Sequence, residues 1–319
     1  MKRTRATALS CCVLLGFALT GLNSGQNSAG QKSAPTGGHN SSTDLQIQSS
    51  VLRIEFDHNL HSRVVALFGP SPKLMAPFSA SETVTSGDRT CNDFAQSASR
   101  REQVSDTFGA GERLTLTGKC GGIRKSVAVT IYTDFPSLAV FDVEYTNDSP
   151  APLKIRGWSN NQYVMSSLPP ARGPAFWSYQ SGSYEKRPNW VLPLRAGFRQ
   201  ENYLGMNASD YGGGTPIVDV WRKDAGLAVG HVEPGPRLIS LPVAMPDASH
   251  VRVAVRSTRD RTLEPGESFH TLRTFVSVHQ GDYFHTLTEY RRLMVRIPFR
   301  AAALFVEDEF LILARMRQS

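Results

Sequence analysis

Cysteine, long apolar runs and basic blocks are all scarce in this chain. Only four of its 319 residues are cysteine, and two of them, Cys11 and Cys12, fall in the first apolar stretch. No CxxC or HxxxH spacing occurs, so the usual zinc ligand sets are missing and neither a metal nor another cofactor is expected. Only Leu9 to Leu22 is continuously apolar enough to stand out, and it is too short to span a bilayer; nothing later approaches about 18 such residues. Lys and Arg number 35 against 28 Asp and Glu, a net charge of +7. Three of the positives are Lys2, Arg3 and Arg5 at the extreme N-terminus, and the remaining excess is spread thinly, which argues against a nucleic-acid partner. Strand patterns do not alternate with long helical ones, which excludes a doubly wound sheet or a β/α barrel. No internal repeat is present.

The N-terminal pattern of positive residues, a short apolar run and then Asn23, Ser24 and Gly25 has the form of a secretory signal peptide over residues 1–25. Residues 26–45 are rich in Ser, Gly, Asn and Gln and form a flexible leader. The mature chain is expected to be secreted or periplasmic and free of the membrane once the signal is removed. Removing the signal leaves Cys91 and Cys120. In an oxidising compartment they suggest one disulfide closing a loop of roughly 30 residues, worth about 3 kcal/mol. Two unpaired buried thiols remain the alternative.

From Leu52 onward the chain alternates. Leu52, Ile54 and Phe56 interleave with Arg53, Glu55 and Asp57, the period-2 pattern of a half-buried strand. The pattern returns at Val127–Ile131, Ala139–Tyr145 and Val251–Val255, and further strands are expected at 64–68, 113–117, 153–157, 218–222, 227–233 and 272–278. Turn residues separate them, as in Asn147-Asp148-Ser149-Pro150 and Glu264-Pro265-Gly266. Tyr283, Leu287, Tyr290 and Met294 recur at helical spacing, with Asp282 placed to cap and Pro298 to stop the helix. The stretch 158–215 reads as loop-rich, and it contains Trp158, Trp177 and Trp190.

The most distinctive run is Asn207 to Val243. It holds Asp210-Tyr211 before three glycines, then Val218-Asp219-Val220-Trp221, Gly230-His231-Val232-Glu233 and Leu241-Pro242-Val243. Asp219 and Trp221 share one strand face, as do His231 and Glu233, and such a mix of aromatic and polar groups suits a sugar site. On these residues, with the Tyr283–Met294 stretch, the chain resembles the N-terminal part of family-36 glycoside hydrolases of the alpha-galactosidase type, over roughly 45–298. The resemblance implies an all-β fold, a large antiparallel two-sheet supersandwich like that of galactose mutarotases, with one C-terminal helix, spanning 46–298. In that family the domain precedes a β/α barrel bearing two catalytic aspartates. Such a barrel needs about 250 residues, and no aspartate here matches either catalytic motif, so no catalytic residue is carried over.

The expected protein is therefore a non-catalytic, truncated portion of a secreted alpha-galactosidase-type enzyme. Its partners would be a galactoside or other carbohydrate, a catalytic barrel, and further copies of itself. Trp177, Trp190, Asp210, Tyr211, Asp219, Trp221, His231 and Glu233 are the candidate carbohydrate-binding or barrel-docking residues. A freestanding carbohydrate-binding module is one alternative, and an aldose-epimerase-like enzyme using His231 and Glu233 as acid and base is another. Against these stand plainer roles: core filling for the tryptophans and a structural hydrogen bond for His231. Residues 299–319 are atypical, with Glu307-Asp308-Glu309 set inside an apolar run, and are expected to pack poorly on the sandwich.

Overall fold

A computed structural model describes residues 45–168, 173–180, 190–204, 215–235 and 237–297. Residues 1–44, where the signal peptide and nearly all of the leader are expected, lie outside the described residues, as do Asp210, Tyr211, the three glycines after them and residues 299–319. Strands start where the sequence alternates. β1 (Gln46–Gln48), β2 (Leu52–Phe56), β3 (Ser62–Ala66) and β4 (Lys73–Ser79) make a four-stranded sheet in chain order. In β2 the three apolar residues are buried and Arg53 and Glu55 half-buried, as the period requires.

Two larger sheets follow. β5 (Thr83–Ser86) and β6 (Arg89–Cys91) begin a nine-stranded sheet, and β7 (Ala95–Asp106), β8 (Gly109–Cys120), β9 (Ile123–Tyr132) and β10 (Leu138–Asn147) form a meander in a ten-stranded one. β11 (Leu153–Ser166) returns to the nine-stranded sheet, and β12 (Trp177–Gln180) and β13 (Val191–Pro193) to the ten-stranded sheet. β14 (Phe198–Gln200) and β15 (Tyr203–Leu204) then alternate with β16 (Ile217–Arg222) and β17 (Ala225–His231) in the same manner. The nine-stranded sheet is completed by β18 (Ile239–Ser240), β19 (Val243–Met245), β20 (His250–Ser257) and β21 (Arg261–Leu263). The last strands, β22 (Ser268–His270) and β23 (Thr274–His279), belong to the ten-stranded sheet, and helix α1 (Phe284–Met294) follows them. The main path of the ten-stranded sheet is β13-β12-β16-β17-β23-β10-β9-β8-β7, and that of the nine-stranded sheet β14-β19-β20-β11-β5-β6. Neighbours such as β9 and β10, β16 and β17, and β11 and β20 run antiparallel. The fold is an all-β sandwich of antiparallel sheets, with one helix among the described residues.

Alternation decides which face each residue serves. Ala139, Phe141, Val143 and Tyr145 of β10 enter a main core with Val127 and Val129 of β9, Val253 and Val255 of β20, and Ile54 of β2. Leu138 and Val140 of the same strand face the other way, into a second core with Ala228, Phe275, Phe135 and Leu293. The ten-stranded sheet is thus covered on both faces near its centre. This explains why β17 and β23 are buried at every position and read as apolar runs.

Three local expectations change. Residues 158–166 are strand rather than loop, because they extend β11 past a register shift between Asn160 and Tyr163. Asn161 there has φ +49°, and the bulge breaks the period that sequence alone would show. Trp158 therefore sits half-buried against the main core, and Trp177 opens β12. Asp282 is not the N-cap: Tyr283 holds that position with no side-chain cap bond, and Asp282, one residue earlier, accepts the Phe284 N–H on its Oδ1 at 3.1 Å. The deepest helix residues, however, are Thr286, Glu289 and Leu293, with Leu287, Tyr290 and Met294 packed less completely. The sheet face opposite α1 is itself mixed, carrying Ser277 and His279 beside Phe275, and it receives a mixed helix face.

Candidate functional site

In β16, Val218 and Val220 point into the main core. Period 2 therefore turns Ile217, Asp219 and Trp221 to the opposite face of the ten-stranded sheet. β12 runs antiparallel beside β16, with Trp177 directly opposite Trp221 and Tyr179 opposite Asp219. The helix start adds Tyr283, whose ring stacks on Tyr179 at 4.8 Å with an interplanar angle of 3°. Tyr283 also lies 5.7 Å from Trp221 and 4.4 Å from Phe284. Trp190 meets Tyr179 edge-on at 6.5 Å. The result is one continuous aromatic surface. Trp177, Trp190 and Phe284 leave 39%, 41% and 53% of themselves exposed, so the surface is open to solvent and offers ring faces to a ligand or a partner.

Asp219 lies at the buried edge of this surface. Its Oδ1 accepts a hydrogen bond from His279 Nε2 at 2.9 Å, with both side chains inaccessible to solvent. Glycine makes the pairing possible: a Cβ on Gly226, which stands beside His279 in register, would fall 2.1 Å from the imidazole. Burial works against a charge on His279, but Asp219 outweighs it and the pKa is raised. His285 stacks 6.0 Å away, and its pKa is lowered by burial and by His279. Asp219 Oδ2, His279 Nδ1, Ser277 Oγ and Thr286 Oγ1 have no partner among the described residues. Because the pair is enclosed, it shapes the aromatic surface from below and does not meet a solvent-borne ligand.

His231 and Glu233 are brought together differently from what an acid/base pair needs. β17 ends at His231, so Glu233 is off the strand. The imidazole Nδ1 accepts the backbone N–H of Glu233 at 3.1 Å. The Glu233 carboxylate instead accepts the Arg273 N–H at 2.8 Å and faces the guanidiniums of Arg273 and Arg237 at 3.8 and 3.9 Å. Burial, helped by Arg237, pushes the His231 pKa down to about 4. Each group has a structural partner.

Cys91 and Cys120 are joined in a disulfide with Cα atoms 5.9 Å apart, which ties β6 of one large sheet to β8 of the other. No group of three or more His, Cys, Asp or Glu is placed to hold a metal among the described residues. No described helix is long and apolar enough to cross a membrane. Sequence reasoning missed Tyr179, His279 and Phe284. Tyr283 was visible only as part of a helical stripe, since its partner rings lie about 60 and 100 residues away in β16 and β12.

No protein-family model and no curated protein matches the sequence. Solved structures do. The alpha-galactosidase from Lactobacillus brevis superimposes with a TM-score of 0.54 at 13% identity, covering 76% of this chain and 40% of the other. The galactosidase domain of an alpha-galactosidase–sucrose kinase gives 0.52 at 8% identity, covering 75% and 41%. The chain is similar in fold to alpha-galactosidases. It spans about two fifths of the length of these structures.

Proposed function

We propose that this chain is a non-catalytic β-supersandwich portion of an exported glycoside hydrolase of the alpha-galactosidase type. One observation carries the reading: three quarters of the chain matches an alpha-galactosidase fold while covering only 40% of that enzyme. The rest of such an enzyme has no counterpart in the matched region. Retaining glycoside hydrolysis needs two carboxylates about 5 Å apart on a rigid scaffold. Among the described residues the candidate carboxylates are committed elsewhere, Asp219 to a buried histidine and Glu233 to two arginines. The aromatic surface of Trp177, Trp190, Trp221 and Phe284 is the face that would meet a carbohydrate or a catalytic domain. In a second reading, favoured by the open Trp177 and Trp190 rings, the chain binds carbohydrate as a module in its own right.

Incubation of the purified chain with p-nitrophenyl α-galactoside and with raffinose tests the first reading. No release of nitrophenol or galactose is expected. Turnover that co-purifies with the chain would overturn it.

A further inference from the structure

A cleft of about 400 Å³ opens where β11, β20 and β21 of the nine-stranded sheet meet β22 of the ten-stranded one. Its volume falls in the range of small-ligand sites, roughly 300–1,000 Å³. None of its lining residues belongs to the aromatic surface described above. Trp158, Phe269 and Leu272 supply apolar wall, and Arg237, Arg259 and Arg261 line the same opening.

The other charges at the cleft are already spoken for. His270 lies 2.9 Å from Asp142 and 3.4 Å from Glu144, and Asp260 lies 3.4 Å from Lys154. Arg259 and Arg261 are not so engaged. Arg261 lies over the Phe269 ring at 4.9 Å, a contact that leaves its N–H donors unspent. Arg237 is the exception, paired with Glu233 Oε2 at 3.9 Å. For Arg259 no carboxylate partner is found among the described residues. Each guanidinium carries five donors in a fixed fork that matches a carboxylate.

We propose that this cleft binds an acidic saccharide through the carboxylate of a uronic-acid unit. The carboxylate meets Arg259 and Arg261, and the C–H face of the ring lies on Trp158. An inorganic anion would satisfy the arginines but leave the apolar wall bare. A neutral sugar would cover the wall and leave the arginines unmatched. The choice of a saccharide among organic acids rests on the carbohydrate-active reading above; the anionic, apolar-bodied character of the ligand does not.

The test is calorimetric titration of the full chain at low ionic strength, with intrinsic tryptophan fluorescence in parallel. The probes are α-1,4-digalacturonate, a neutral digalactoside, a diglutamate peptide, and inorganic sulfate. Saturable digalacturonate binding is expected, at least tenfold tighter than any other probe. Arg259→Gln and Arg261→Gln should each weaken it about tenfold without moving the thermal midpoint, since both side chains are exposed. Arg259→Lys should fall between, because it keeps the charge and loses the fork. No saturable binding, equal binding of the neutral sugar, the peptide or sulfate, or indifference to both arginines would overturn the proposal. Hydrolytic assays read the proposed function separately, so an inert chain that fails to bind digalacturonate refutes only the cleft.

Discussion

At the scale of single residues, four buried ionisable groups show how position overrides type. Lys125 sits fully buried in the main core, its Nζ donating to the carbonyls of Leu60 and Glu82 at 3.3 and 3.1 Å and lying 4.4 Å above the Phe94 ring. Burial draws its pKa down and pushes that of Glu82 up, each shift opposed by the charge of the other. His231 and His279 shift in opposite directions because only His279 faces a buried carboxylate. The signs have different consequences. A folded pKa near 4 for His231, against about 6.5 unfolded, means that the unfolded chain binds the extra proton between those values. Stability from this group is therefore full above about pH 6.5 and falls as pH drops towards 4, by roughly 3 kcal/mol in all. Urea melts from pH 7 to 4.5 should show this loss in the parent chain and a shallower one in His231→Gln. Parallel curves for the two would contradict it. The raised pKa of His279 acts the other way, and its contribution fades as pH rises through that pKa.

Single elements carry their own logic. β7 has the sequence AQSASRREQVSD and is mostly exposed, with Arg101 paired to Glu112 at 2.6 Å. It occupies one end of the main strand path of the ten-stranded sheet, where a charged strand discourages pairing with another chain. No apolar period marks it, so it is invisible to pattern reading; its partner β8 specifies it through pairing from Ala95 to Asp106. The disulfide belongs to this scale because it links an end strand of one large sheet to the other. Cross-linking residues 29 apart restricts the unfolded chain by about 3–4 kcal/mol. The Cys91→Ala/Cys120→Ala chain should unfold at a lower urea midpoint by a corresponding amount, with the parent chain under reducing conditions showing a similar shift. An unchanged midpoint in both would show that the sheets are held without it.

For the whole molecule, the open question is what covers the aromatic surface. Soluble monomers seldom expose contiguous apolar patches beyond a few hundred Å², and domain contacts typically bury roughly 600–1,500 Å². Trp177, Trp190 and Phe284 leave apolar surface exposed together near the start of α1. The purified chain should therefore self-associate at micromolar concentration, or bind a hydrophobic dye in its native state. Trp177→Ser and Trp190→Ser should each reduce that, and little stability should be lost because both rings are largely outside the core. Sedimentation and dye fluorescence decide the matter; a monomeric, dye-silent parent chain would show that the surface needs no cover.

Sequence alone determined the class of fold and the positions of most long strands. Burial on one face of a pleated strand forces alternation, as in Leu52-Ile54-Phe56 and Val251-Val253-Val255, and alternation is visible without coordinates. The helix was legible for the same reason at period 3.6, and Cys91 and Cys120 could be paired once the two N-terminal cysteines were set aside. Which of two buried faces a residue serves was not legible, since Val140 and Phe141 are equally apolar and enter different cores. The roles of Asp219, Trp158 and His231 were decided only by tertiary structure. Asp219 meets a histidine 60 residues later because Gly226 leaves space for the ring, and Trp158 shares a cleft with three arginines because β11 pairs with both β20 and β21. His231 turned to the nearest backbone N–H. Such pairings depend on strand order and register across a sheet, and these are set by the packing of the whole chain.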